Sequence, residues 1–107
     1  MREPTADEPV YIISIAARLV GMHPQSLRLY ERKGLIRPAR LGKKRLYSER
    51  DIQRLRHIQQ LTQDRSVNLA GVRVVFELLE KMEALRSQME ARMEALEAEL
   101  REAEAAE

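Results

Sequence analysis

Within four residues of Pro24 the chain offers three side chains able to read a base edge or bind a phosphate: Gln25, Ser26 and Arg28. Glutamine can pair with adenine, a serine hydroxyl with several base edges, and arginine with guanine or a phosphate oxygen. Arg32 and Lys33 follow, placed to meet phosphates or to balance a helix dipole. Arg37, Arg40, Lys43, Lys44 and Arg45 come next, too many like charges to pair among themselves, and their natural counterion is a polyphosphate. Tyr47 admits two readings: a phosphate contact through its hydroxyl, or the cap of a small core.

Other chemistries are thinly represented. There is no cysteine, which excludes disulfides, thiolate metal sites and cysteine nucleophiles. His23 directly precedes Pro24, where it can cap a helix or act as a pH switch. His57 has no second ligand candidate nearby in sequence, which argues against a metal. With no Gly-rich phosphate loop and no paired nucleophile and base, neither an enzyme nor a cofactor is expected. No run approaches the roughly 18 apolar residues of a membrane span, and "MREPTADEP" lacks the apolar core of a signal peptide, so no membrane partner and a cytoplasmic location are expected.

Helices must position these side chains. Ser14 can serve as N-cap for a helix from Ile15 to Val20, ended by Gly21. Pro24 suits the first position of a second helix to about Lys33, closed by Gly34. A small Ala17, the turn at Gly21 and a plugging Leu27 are the spacing of a helix-turn-helix, although a generic helix pair has it too. "LIRP" and "KRLY" predict two extended pieces of a small hairpin, or wing, with Gly42 at its tip.

Ser48 followed three residues later by Asp51 predicts a capping box opening a third helix to about Gln63, with Ile52, Leu55, Ile58 and Leu61 available to the core. "QDRSVN" reads as a loop, and Asn68 as N-cap of a fourth helix carrying Leu69, Val72, Phe76 and Leu79 at helical spacing. A break is expected near Glu80 to Ala84. Beyond it Met82, Leu85, Met89, Met93, Leu96, Leu100 and Ala103 form a coiled-coil seam with one stutter between Met89 and Met93.

Charge divides the chain in the same way. Residues 1–10 carry a net −2, residues 11–74 a net +10 and residues 75–107 a net −6, summing to the overall +2. A basic segment joined to an acidic one suits a nucleic-acid binder with a separate assembly element; two solvated faces would have the same signature.

On these residues the chain resembles a known family. "SIAARLVGMHPQSLRLYERKGLI", "RLYSERDIQRLRHIQQL" and "VNLAGVRVVFELL" are similar to the winged-helix domain of MerR-type transcription regulators, over Tyr11 to about Leu79. Within that family "YIISIAARLVGMHPQSLR" and "SVNLAGV" resemble the HspR-type heat-shock repressors. The resemblance implies a homodimer joined by an antiparallel coiled coil, binding an inverted repeat upstream of chaperone genes, with the DnaK chaperone as corepressor. It places DNA contacts on Ser14, Gln25, Ser26, Arg28, Arg45 and Tyr47. MerR-type metal and redox sensors hold their effectors with cysteines, which this chain lacks.

The expected architecture is therefore all-α: a disordered arm over residues 1–10, a winged helix-turn-helix domain with a small β-hairpin wing over residues 11–79, and a dimerising coiled-coil helix over residues 80–107. The expected DNA-binding set is Ser14, Gln25, Ser26, Arg28, Arg32, Arg40, Lys43, Lys44, Arg45 and Tyr47; Met82, Leu85, Met89, Met93, Leu96 and Leu100 are expected to dimerise. A repressor of heat-shock genes is the expected function. A MerR-type activator answering a small molecule, and a coiled-coil adaptor binding an acidic protein, are the alternatives.

Overall fold

The computed structural model describes residues 3–106, and capping residues and strand pairing account for where its elements begin and end. Strand β1 (Pro9–Ile12) leads directly into helix α1 (Ile13–Val20). Helix α2 (Pro24–Arg32) follows, then β2 (Ala39–Leu41), β3 (Lys44–Ser48), α3 (Glu49–Gln59), a π-helical turn (Gln60–Asp64) and the long helix α4 (Leu69–Ala105).

The all-α expectation needs amendment, because the hairpin belongs to a three-stranded antiparallel sheet of order β1-β3-β2. β1 pairs Tyr11 with Tyr47 and Ile12 with Leu46, while β2 pairs Ala39 with Leu46 and Arg40 with Arg45. That pairing also overturns the cap expected at Ser14. The strand organises the backbone as far as Ile12, which takes the N-cap position in an extended conformation with no side-chain bond, so Ser14 falls inside the exposed first turn of α1.

The turn between α1 and α2 follows the predicted chemistry. Gly21, at φ +66°, donates its N–H to the Arg18 carbonyl while Met22 donates to that of Ala17, satisfying carbonyls that the helix end leaves open. His23 Nδ1 accepts the Gln25 N–H at 3.1 Å, which is the helix-cap reading, and Pro24 opens α2. Gly34, at φ +73°, closes α2 in the same manner, with its own N–H on Glu31 O and the Leu35 N–H on Tyr30 O.

"LIRP" is not the first wing strand. Leu35 and Ile36 are buried in the core, the Leu35 carbonyl accepts from Arg54 Nε of α3 at 2.6 Å, and pairing starts only after Pro38, which has no N–H to donate. The core is built from α1, α2, Leu35 and Ile36, the inward side of β3, α3 and Val72 at the start of α4. Leu27, Tyr47, Leu55 and Ile58 are each wholly inaccessible.

The capping box forms as predicted: Ser48 Oγ accepts the Asp51 N–H at 3.1 Å and Asp51 Oδ2 accepts the Ser48 N–H at 2.9 Å. Ala6 O accepts a further free donor of that first turn, the Arg50 N–H, and Asp7 pairs with Arg50 at 2.6 Å. Thr5 to Val10 are thus tied to the domain by a turn, this contact and β1, which corrects the disordered arm over that stretch; Met1 and Arg2 lie outside the described residues. At its end α3 widens into the π-helical turn, where the Thr62 hydroxyl donates to the carbonyls of Ile58 and Gln59.

Asn68 Oδ1 accepts the Gly71 N–H at 2.8 Å and opens α4. No break follows near Glu80 to Ala84: α4 runs unbroken to Ala105, because the stretch has neither glycine nor proline and Arg86 bridges Glu83 and Glu90 along the helix surface. Hydrogen bonding to Arg86 is the main cause that lowers the Glu83 carboxyl below its ordinary value. Val72 and Phe76 are buried, while Leu79 is exposed.

The chain divides into two compact units between Arg73 and Val74, where its charge changes sign. In the second unit Met82, Leu85, Met89, Met93, Leu96 and Leu100 are 46–66% exposed. Glu107 lies outside the described residues. Among the described residues no helix is long and apolar enough to cross a membrane.

Leu27 plugs the helix-turn-helix at zero exposure, so Leu27→Ala is expected to destabilise the basic unit by about 3 kcal/mol. Chemical denaturation followed by circular dichroism checks this; a loss under about 1 kcal/mol would mean the helix pair does not depend on that plug.

Candidate nucleic-acid interface

One amphipathic helix orders the candidate site. α2 turns Leu27 into the core, which leaves Gln25 and Arg32 exposed and Ser26 and Arg28 partly exposed. Ser14, in the first turn of α1, is exposed as well. These side chains need no rearrangement of the core to meet a partner.

The wing lies close enough to α2 to share a charge cluster with it. Arg40 and Arg45 face each other across β2 and β3, a pairing of like charges that would destabilise the hairpin if left alone. Glu31 of α2 resolves it. Arg40 Nη2 lies 3.0 Å from both carboxylate oxygens, and Arg45 Nε donates to them at 2.9 and 3.1 Å. Arg40, Arg45 and Glu31 therefore come together, whereas Lys43 and Lys44 stay exposed at the tip of the wing. Motif spacing does not single out Glu31, but composition does: it is the sole acidic residue between Tyr11 and Ser48.

Tyr47 is not a surface contact. Its side chain points from β3 into the core at zero exposure, and the hydroxyl has no hydrogen-bond partner among the described residues. The core-capping reading holds, because strand alternation turns Tyr47 inward beside Arg45. Burial pushes its phenol up to about 12, with the Glu31 carboxylate adding to the shift and Arg45 and Arg28 opposing it. Tyr11 of β1 donates to Glu49 Oε2 at 3.2 Å, and this bond raises its phenol in turn.

A phenol that ionises at about 12 when folded and near its ordinary 10.0 when unfolded binds protons more tightly in the native state. Stability is therefore undiminished by this group below pH 10.0 and falls as the pH rises from there to about 12. Tyr47→Phe is expected to abolish this late-titrating tyrosinate absorbance and, as the hydroxyl has no partner to lose, to change stability at neutral pH by less than about 1 kcal/mol. A marked loss at neutral pH would reveal a bonded hydroxyl.

Comparison with known proteins agrees with this geometry. The MerR helix-turn-helix family of regulatory proteins matches residues 11–79, from the second half of β1 through α1, α2, β2, β3, α3 and the π-helical turn into the start of α4. A Streptomyces coelicolor protein bearing the heat shock name HspR is 45% identical over 108 residues, covering 97% of this chain and 72% of that protein. HTH-type transcriptional regulators named GlnR, from Bacillus anthracis and Bacillus cereus, are 33% identical over 76 residues; the match takes in 70% of this chain but only 58% of theirs. Match and architecture together place the chain in the MerR family of helix-turn-helix regulatory proteins.

Proposed function

We propose that the protein represses heat-shock or chaperone genes as a homodimer that reads an inverted repeat in double-stranded DNA. The observation that carries this reading is the exposed polar face of α2 with a basic wing fastened beside it. A helix of this kind enters the major groove, with Gln25, Ser26 and Arg28 at base edges. Ser14, Arg32, Lys43 and Lys44 then meet phosphates on either side, and Arg40 and Arg45 set the wing while offering their remaining N–H groups to the backbone. The relative named HspR supports the heat-shock assignment. DnaK as corepressor belongs to the same proposal and rests on family resemblance alone.

Dimerisation is proposed through α4. The stripe from Met82 to Leu100 is apolar and exposed in the single chain, and antiparallel pairing with a second copy would bury it. Two recognition helices on one symmetric dimer read a palindrome, with the half-site spacing fixed by the helix between them.

Selection from a random duplex pool tests the reading. An enriched inverted repeat bound about 10³-fold more tightly than random duplex is expected at physiological salt. Arg28→Ala should then cost about 1–3 kcal/mol on the selected duplex and relax discrimination at one position. Failure to enrich any sequence would point instead to an acidic protein partner.

Sedimentation tests the dimer. Leu96→Asp places a carboxylate in the proposed seam and is expected to yield monomers, since burying an unpaired charge is prohibitive. A persistent dimer would move the interface elsewhere.

A further inference from the structure

We propose that Glu31 is a specificity-determining positioning residue: its carboxylate occupies the place of a DNA phosphate between Arg40 and Arg45 and lowers the charge the wing offers to any duplex. This rests on the DNA-binding reading above and adds a role that the charge count alone would oppose, since a carboxylate on a recognition helix repels DNA.

The geometry is that of a phosphate clamp filled from within. Two guanidinium groups from opposite strands converge on one carboxylate, with all four N···O distances between 2.9 and 3.1 Å. The Glu31 side chain is 18% exposed and that of Arg45 is 24% exposed, so solvent screens this contact less than an open surface pair. Arg40 is 50% exposed and anchors the other strand. The three groups together carry one net positive charge where the two arginines alone would carry two.

That difference falls unequally on right and wrong sequences. Binding to random DNA is almost wholly a matter of phosphate neutralisation, whereas binding to a cognate site adds base contacts from α2. Removing one positive charge from the wing therefore weakens random binding by a full contact. On the cognate site the same clamp returns part of that loss, because it holds the wing against α2 in one position before DNA arrives and so reduces the ordering cost of association. The net result is better discrimination at lower gross affinity.

The test compares wild type with Glu31→Gln, which keeps the shape and an accepting oxygen but loses the charge, with Glu31→Ala, and with Glu31→Asp, which keeps the charge. Binding is measured on a duplex selected by the wild type and on a random duplex across a salt series. For both Glu31→Gln and Glu31→Ala the salt slope on random duplex is expected to steepen by about 0.9, with roughly tenfold tighter binding at low salt and a narrower gap between selected and random duplex. Glu31→Asp is expected to keep the wild-type slope. If Glu31→Gln does not fold by circular dichroism, Glu31→Ala reads the same slope. A wild-type slope in the charge-removing variants, or equal weakening on both duplexes, would show that Glu31 merely supports the fold and would overturn the inference while leaving DNA binding intact. Failure of the wild type to enrich any duplex would overturn the DNA-binding reading first, and this inference with it.

Discussion

Strand β3 pairs on both edges, with β1 on one side and β2 on the other, and the remaining parts of the basic unit take their positions from it. Its alternation sends Tyr47 into the core and turns Arg45 the same way, toward Glu31 of α2. Its last residue, Ser48, caps α3. Five residues thus link the sheet, α2 and the helix behind it. A strand held on both edges cannot slip by one residue without turning Tyr47 to solvent and Leu46 to the core, so the register is strongly specified.

Around this centre the charged side chains are sorted by what they touch. Neutral, closely packed residues such as Ala16, Ala17 and Leu27 hold α1 against α2, leaving the polar face of α2 free. The basic side chains divide into two kinds. Arg54 bonds the Leu35 carbonyl, and Arg40 and Arg45 share Glu31, so these serve the fold as well as the surface. Lys43 and Lys44 stand exposed at the wing tip, each a flexible ammonium with no fixed hydrogen-bond geometry. In α4 the arrangement is different. There an exposed apolar stripe runs along an acidic helix.

The elements most legible in the sequence were those governed by local rules. Gly21, His23–Pro24, Gly34, the Ser48–Asp51 capping box and Asn68 each act within a few residues, and each lies at the boundary expected of it. The expectations that failed were those that assumed local rules act alone. Ser14 is a good cap by type, but pairing of β1 with β3 had already set the start of α1. "LIRP" has an extended pattern, but Leu35 and Ile36 were needed in the core. The break expected in α4 has neither glycine nor proline behind it, and the helix runs through.

By itself the sequence determined which residues carry the chemistry and which turns bring two short helices together, because side-chain type and short-range hydrogen bonding are properties of neighbouring residues. The tertiary structure alone decided how that chemistry is used. Whether Tyr47 meets solvent depends on the alternation of a strand whose partners lie up to 39 residues away in the chain, Pro9 pairing with Ser48. Whether Arg40 and Arg45 are free depends on their lying opposite one another within reach of a carboxylate on another element. Contacts between residues distant in sequence are fixed by packing, and no local pattern encodes them.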